Sequence, residues 1–234
     1  MRILVVNPNT TASMTANIGV CARAAASVGT EIVVRNPATG PVSIEGHYDE
    51  ALCTPGLLEE IRRGEDEGVD GFVIACFDDP AIGACRELAT GPVFGIAEAA
   101  MIATSFSVVT TLQRSVPIIE DLVVRYGFER RCRGVRAVDL PVLALEEEPQ
   151  ARSRILAEIR RAISEDRCEA VVLGCAGMAD LTRWLAQEAG IPVIDGVVAG
   201  VRMVEALAGA GLRTSKRGAY QSPRPKRVIR RRAP

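Results

Sequence analysis

The chain has one histidine, His47, in 234 residues, and that scarcity removes several chemistries at once. A cysteine or serine nucleophile usually needs a histidine to take its proton, and only one position could supply it. A zinc site is disfavoured on the same ground, because no CxxC pair accompanies the single His. Excess charge of either sign is also missing: Lys+Arg is 28 against Asp+Glu 29. Overall charge therefore offers no attraction to nucleic acid or to a membrane surface, and neither is expected as a partner. No apolar run approaches the roughly 20 residues that span a bilayer. The opening residues Met1-Arg2-Ile3-Leu4-Val5-Val6-Asn7 carry no small-residue cleavage site and read as a strand, so a cytoplasmic protein is expected. The seven cysteines are an odd number without close pairs, which suits free thiols in a reducing compartment better than a disulfide framework.

What is present is a hydrophobic fraction of 48%, ample for a sizeable core, arranged as alternating strands and helices. Strands are expected at 1–6, 30–35, 71–75, 93–95, 106–111, 134–139, 170–174 and 192–194. Helices are expected near 12–27, 55–67, 79–89, 97–103, 113–126, 150–165, 178–189 and 196–210. Residues 36–49, with Pro37, Gly40, Pro41 and Gly46, read as a long loop, of a length that is often functional in a compact domain. Glu146-Glu147-Glu148-Pro149 reads as a loop too. Strand–helix alternation of this kind implies parallel sheets with right-handed crossovers.

The pattern occurs twice. Cys76 and Cys175 lie 99 positions apart, Pro92 and Pro192 100, Val5 and Val108 103. Each half runs strand, polar loop, helix, Cys-ended strand, helix, Pro-Val strand, small-residue helix. The expected fold is α/β: two pseudo-symmetric parallel-sheet α/β domains with helices on both faces and the active site in the cleft between them. Residues 1–97 plus about 200–234 would form the first half and 98–199 the second. From Thr214 the chain becomes rich in Pro and basic residues, ending in Arg230-Arg231-Arg232, and is expected to be an irregular solvated extension or a contact with another subunit. A homo-oligomer is expected.

The duplicated thiols carry the chemistry. Each terminates a buried strand where a helix begins, the edge at which open α/β sheets bind ligands. Backbone N–H groups and the helix dipole there favour thiolate. Without a histidine partner, acid/base work fits better than nucleophilic attack: one thiolate removes a proton from a carbon acid and the other thiol returns one to the opposite face. The resulting enolate would be stabilised by N–H groups of the turns after Cys76 and Cys175, including Phe77, Ala176 and Gly177, and by the hydroxyls of Thr110 and Thr111. Cys21, Cys53, Cys85, Cys132 and Cys168 read instead as small hydrophobes. Asn7 and Pro8 end the first strand, either as ligand contacts or as a capping turn. Ile44 and Tyr48 either cover a substrate side group or pack in a surface loop. Asp78, Asp79 and Asp195 read as helix caps and Trp184 as core.

Asn7-Pro8-Asn9-Thr10, Ala75-Cys76-Phe77-Asp78-Asp79-Pro80, Gly174-Cys175-Ala176-Gly177-Met178 and Ile194-Asp195-Gly196 resemble the aspartate/glutamate/hydantoin racemase superfamily, and within it the hydantoin and allantoin racemases. The tail from Thr214 resembles hydantoin racemases as well. The resemblance implies a cofactor-independent enzyme with no metal, in which Cys76 and Cys175 are the two acid/base residues and the substrate is a small cyclic ureide. Amino-acid racemases of the superfamily tend to carry Asn-Thr and Thr-Glu after their cysteines. Phe77-Asp78 and Ala176-Gly177 stand there in this chain, which argues against aspartate or glutamate as substrate. A different class of protein, a non-catalytic small-ligand-binding α/β protein, is the competing reading; thiol redox is disfavoured because the two cysteines belong to separate turns.

Overall fold

The computed structural model describes residues 1–102, 105–147 and 149–226. Ala103, Glu148 and Arg230-Arg231-Arg232, which entered the expectations above, lie outside the described residues. In order, the elements are β1 (Arg2–Val6), α1 (Ala12–Ala25), β2 (Glu31–Arg35), α2 (His47–Asp66), β3 (Gly71–Ile74), α3 (Ile82–Leu88), β4 (Val93–Gly95) and α4 (Ile96–Ala100). The second half adds β5 (Phe106–Thr110), α5 (Val116–Arg125), β6 (Cys132–Ala137), α6 (Ala144–Glu147), α7 (Ala151–Arg161), β7 (Ala170–Leu173), α8 (Thr182–Ala189), β8 (Val193–Ile194) and α9 (Gly196–Gly209).

The strands form two parallel four-stranded sheets, ordered β2-β1-β3-β4 and β6-β5-β7-β8. The second order is the first repeated, so the duplication seen in the chain is a duplication of topology. It extends to single hydrogen bonds. The residue before each cysteine donates to the neighbouring strand at 2.8 Å, Ala75 N to Val6 O and Gly174 N to Val109 O. Each Pro-Val strand is joined to the cysteine strand through a proline carbonyl at 2.9 Å, from Phe72 N to Pro92 O and from Val171 N to Pro192 O. Apolar runs such as Phe72-Val73-Ile74 and Val171-Val172-Leu173 are buried on both faces, as covered parallel strands require.

One core joins the halves. Val5 and Val73 of the first sheet, Val108 and Val172 of the second, and Ile18, Ile119, Ile96 and Val201 from helices pack into a single cluster. Smaller clusters lie on the outer faces, around Leu57, Ile61 and Phe72 in one half and Ile155, Ile159 and Leu185 in the other. The final helix, α9, returns to pack on β3, β4, α1 and α4.

Three local expectations change. Helix α2 begins at His47, not near residue 55, and runs through Pro55. Its start is stabilised by Asp49, whose carboxylate accepts the Glu45 N–H at 3.0 Å, and its apolar stripe Cys53, Leu57, Ile61 continues unbroken across the proline. The long loop is correspondingly shorter. A short α6 occupies part of the segment read as loop before Pro149. The tail, expected to be irregular and solvated, is anchored at its start. Thr214 bonds Thr90 O and Gly91 O, and the Lys216 ammonium donates to Arg86 O at 2.8 Å and Glu87 O at 3.0 Å, carbonyls at the end of α3. Among the described residues no helix is long and apolar enough to cross a membrane.

Candidate active site

Strands β1, β3, β5 and β7 end together, and their carboxyl edges surround one cleft. From the first half it is lined by Asn7, Asn9, Met14, Ile44, Ala75, Cys76, Phe77 and Asp78, and from the second by Thr110, Thr111, Ser115, Val142, Gly174, Cys175 and Ala176. The empty space is about 430 Å³, part of it open to solvent. Both thiols are free and half-buried on this wall.

The two cysteine turns are built alike. Cys76 O accepts the Asp79 N–H and Cys175 O accepts the Met178 N–H, each at 3.1 Å. The residue two positions on donates its N–H to each sulfur: Gly177 N to Cys175 Sγ at 3.4 Å, and Asp78 N to Cys76. These donors favour thiolate, but burial outweighs them. It pushes Cys175 up to about 12 and Cys76 well above its ordinary value. The Asp78 charge raises Cys76 further, and Cys175 is itself among the charges that oppose ionisation of Cys76. The helix-end environment expected to lower both thiols is thus overridden by desolvation. A thiolate formed here is scarce and, once formed, strongly basic.

The other expected residues divide. Asn7 is buried in the cleft floor, but its amide is committed: it donates to Asn9 Oδ1 at 2.9 Å and to Thr15 Oγ1 at 3.0 Å. The Thr110 hydroxyl donates to Gly174 O at 3.0 Å and so holds the Cys175 turn. Thr111 and Ser115 line the cleft with hydroxyls that make no side-chain hydrogen bond among the described residues. Ile44 reaches the cleft because its loop is pinned to the turn after β1, with Thr10 N bonding Pro41 O at 2.9 Å and Thr11 Oγ1 bonding Val42 O at 2.6 Å. The next residue, Glu45, crosses to the second half and accepts the Val142 N–H at 2.9 Å. Phe77 and Ala176 are on the wall, while Gly177 stands behind its cysteine.

Pro8 and Tyr48 are not among the lining residues. Pro8 is buried within the turn after β1. Tyr48 is 74% exposed, because the early start of α2 puts it on the outward side of the first turn.

Neither Asp78 nor Asp79 caps α3. Asp79 caps α4 instead, accepting the Ala97 N–H at 3.1 Å and the Glu98 N–H at 2.9 Å, and it also accepts the Tyr126 hydroxyl of the second half at 2.8 Å. Its backbone is left-handed, φ 44°, and Gly95 is required opposite, where a Cβ would stand 2.0 Å from the carboxyl. Asp78 faces the cleft. Asp195 is a cap as expected, its Oδ1 accepting the Val197 N–H at 2.8 Å, and Trp184 is half-buried against the second outer cluster.

The chain by itself does not single out Asn9, Met14, Ser115 or Val142 for the cleft, and it suggests a capping role for Asp78. Asn9 alone carries a signal, its place in the turn after β1. Among the described residues no cluster of His, Cys, Asp and Glu could hold a metal ion.

The sequence model of the Asp/Glu/hydantoin racemase family matches residues 3–204. A hydantoin racemase of Rhizobium meliloti is 56% identical over 230 residues, which is 96% of this chain and 95% of that protein. A hydantoin racemase of Pseudomonas sp. (strain NS671) is 48% identical over 235 residues, 98% of this chain and 94% of that one. The structure of an allantoin racemase from Klebsiella pneumoniae matches with a TM-score of 0.95 at 51% identity, covering 98% of this chain and 96% of that one. With its duplicated parallel sheet and its matched pair of strand-end cysteines, this chain belongs to the Asp/Glu/hydantoin racemase family.

Proposed function

We propose that this chain is an isomerase, a cofactor-independent racemase of 5-monosubstituted hydantoins, working by two-base proton exchange at C5. The observation that carries the reading is that Cys76 and Cys175, each at the end of an equivalent strand, open onto one cleft from opposite halves. One sulfur, as thiolate, takes the C5 proton. The electron pair of the broken C–H bond moves onto the adjacent ring carbonyl oxygen. The opposite thiol then delivers its proton to the other face of C5, the enolate returns to a carbonyl, and the first sulfur ends as thiol while the second is left as thiolate. The enzyme is thereby poised for the reverse direction with the roles exchanged.

Burial makes each thiolate a strong base towards a weak carbon acid but leaves few molecules holding it at neutral pH, whereas general-base catalysis is most efficient with a pKa near the operating pH. The hydroxyls of Thr111 and Ser115 and the backbone N–H groups of Phe77 and Ala176 are the candidate donors to the developing oxyanion. Ile44, Phe77, Ala176 and Val142 supply an apolar wall for the ring and its substituent.

Allantoin is the second substrate reading, favoured by the likeness to the Klebsiella pneumoniae allantoin racemase. Polarimetry or circular dichroism on enantiopure 5-alkylhydantoins, allantoin and aspartate separates the two. Decay of signal with hydantoins or allantoin above the buffer control, with aspartate unchanged, is expected. Failure with both ureides would leave a non-catalytic ligand-binding protein as the better description. A cytoplasmic homo-oligomer belongs to the same reading, since seven free cysteines suit a reducing compartment, and light scattering on the purified chain tests the assembly. So does the division into 1–97 plus about 200–234 and 98–199, supported by the return of α9 to the first sheet.

A further inference from the structure

Asp78 is the one buried acid of the cleft that the acid/base account leaves without a role. Its side chain lines the cavity beside Cys76 and is only 9% exposed, its oxygens open onto the cleft, and among the described residues nothing donates a hydrogen bond to its carboxylate. Leaving an ionisable group buried and unpaired is costly, and folded proteins retain such groups mainly where something else completes them. The neighbouring charges offer little: Glu50 and Asp49 on α2 repel it, and the attraction comes from His47, exposed at the start of the same helix. Burial accordingly pushes its carboxyl up to about 6, so that at neutral pH it is still largely ionised and acts only as an acceptor.

The remaining free polar groups of the cleft are of the opposite kind. Thr111 and Ser115 offer hydroxyl donors, while the Asn7 amide and the Thr110 hydroxyl are already used. The wall thus presents donors from the second half and one charged acceptor from the first. A cyclic ureide has the matching edge, ring carbonyls that accept and ring N–H groups that donate.

We propose that the Asp78 carboxylate accepts a hydrogen bond from a ring N–H of the cyclic ureide and so orients the ring beside Cys76. The inference rests on the racemase reading given above. Once the ring is seated, the N–H supplies the partner that the carboxylate otherwise lacks, and a charge-assisted bond of this type is stronger than a neutral one.

The test compares wild type with Asp78→Ala and Asp78→Asn on a 5-alkylhydantoin and on its N1-methyl and N3-methyl derivatives, with melting temperature measured in parallel. For the unmethylated hydantoin, Asp78→Ala should lower kcat/KM ten- to a hundred-fold. Methylation of one of the two ring nitrogens should cost the wild type at least ten-fold and cost Asp78→Ala less than three-fold, because the bond is already gone. Both variants should melt no lower than wild type without ligand, since a buried unpaired charge has been removed. Equal penalties for methylation in wild type and variant at both nitrogens would overturn the inference, as would a melting temperature lowered by several degrees in both variants, which marks a structural role. Wild-type racemisation with unaffected variants overturns this inference alone; a wild type inactive on hydantoins and allantoin takes the functional reading down with it.

Discussion

The two cysteine turns share strand, register and backbone hydrogen bonds, yet they differ in the residues beyond the sulfur. After Cys175 the chain enters a tight helical turn at once, and Ala176 and Gly177 add no charge. After Cys76 come Phe77, Asp78 and Asp79, with Asp79 and Ala81 both left-handed, before the short α3 begins. One thiol therefore has a buried carboxylate in its own turn, while the other has none there and feels Asp78 and Glu45 only from the opposite half. Duplication set the positions of two like groups; divergence in three residues made them unequal. A racemase needs its two bases matched in place, and need not have them matched in acidity, because each direction of the reaction uses one as base and the other as acid.

The most severe break of the comparison is to remove either sulfur. Cys76→Ser and Cys175→Ser should each lower racemisation by about 10³-fold or more, in line with the usual size of general acid–base contributions. Exchange of the C5 proton in deuterated water, monitored by NMR, should persist from one face only; full racemisation by either single variant would end the two-base account. A gentler probe is thiol alkylation with peptide mass spectrometry as the readout. Cys175 should react faster than Cys76, since the Asp78 charge opposes thiolate more strongly at Cys76, and Asp78→Asn should narrow the gap several-fold.

The comparison also has a link between its two sides, the Tyr126 hydroxyl on Asp79. Burial holds Asp79 up to about 7, against 3.8 as its ordinary value. Because the folded value is raised, the stability this group contributes is fully present below about pH 4 and is lost as pH rises through about 7. Tyr126→Phe should deepen that loss, leaving the carboxylate with two backbone donors. A cost of about 1–2 kcal/mol near neutral pH corresponds to a melting temperature lower by roughly 2–8 °C, and the difference should shrink towards pH 4 in a fluorimetric melt. The smallest effect is expected where the first half carries something the second does not, the docked tail. Lys216→Ala removes a cation from the end of α3 and should cost about 0.3–1 kcal/mol with turnover unchanged.

Much of the architecture is legible in the chain. Buried parallel strands write themselves as short β-branched runs, so Ile3 to Val6, Phe72 to Ile74, Val108-Val109 and Val171 to Leu173 are visible, and their spacing announces the repeat. The start of α2 is not legible, because Pro55 resembles a first-turn proline and only the packing of Cys53 and Leu57 carries the helix through it. Asp78 and Asp79 mislead for a related reason. An acid before a helix is ordinarily its cap, and nothing local tells that Asp79 will reach the α4 N-terminus instead of the α3 N-terminus.

By itself, then, the sequence determined the strand–helix order, the duplication, and the placing of Cys76 and Cys175 at equivalent strand ends, since hydrophobic periodicity and turn chemistry act within a few residues. Only the tertiary structure decided that the two carboxyl edges share one cleft, that Ile44 and Val142 reach into it while Tyr48 does not, and that Asp78 stands unpaired beside a thiol. Those outcomes depend on how Val5, Val73, Val108 and Val172 pack into one core. Periodicity records that a residue is buried; it does not record against what.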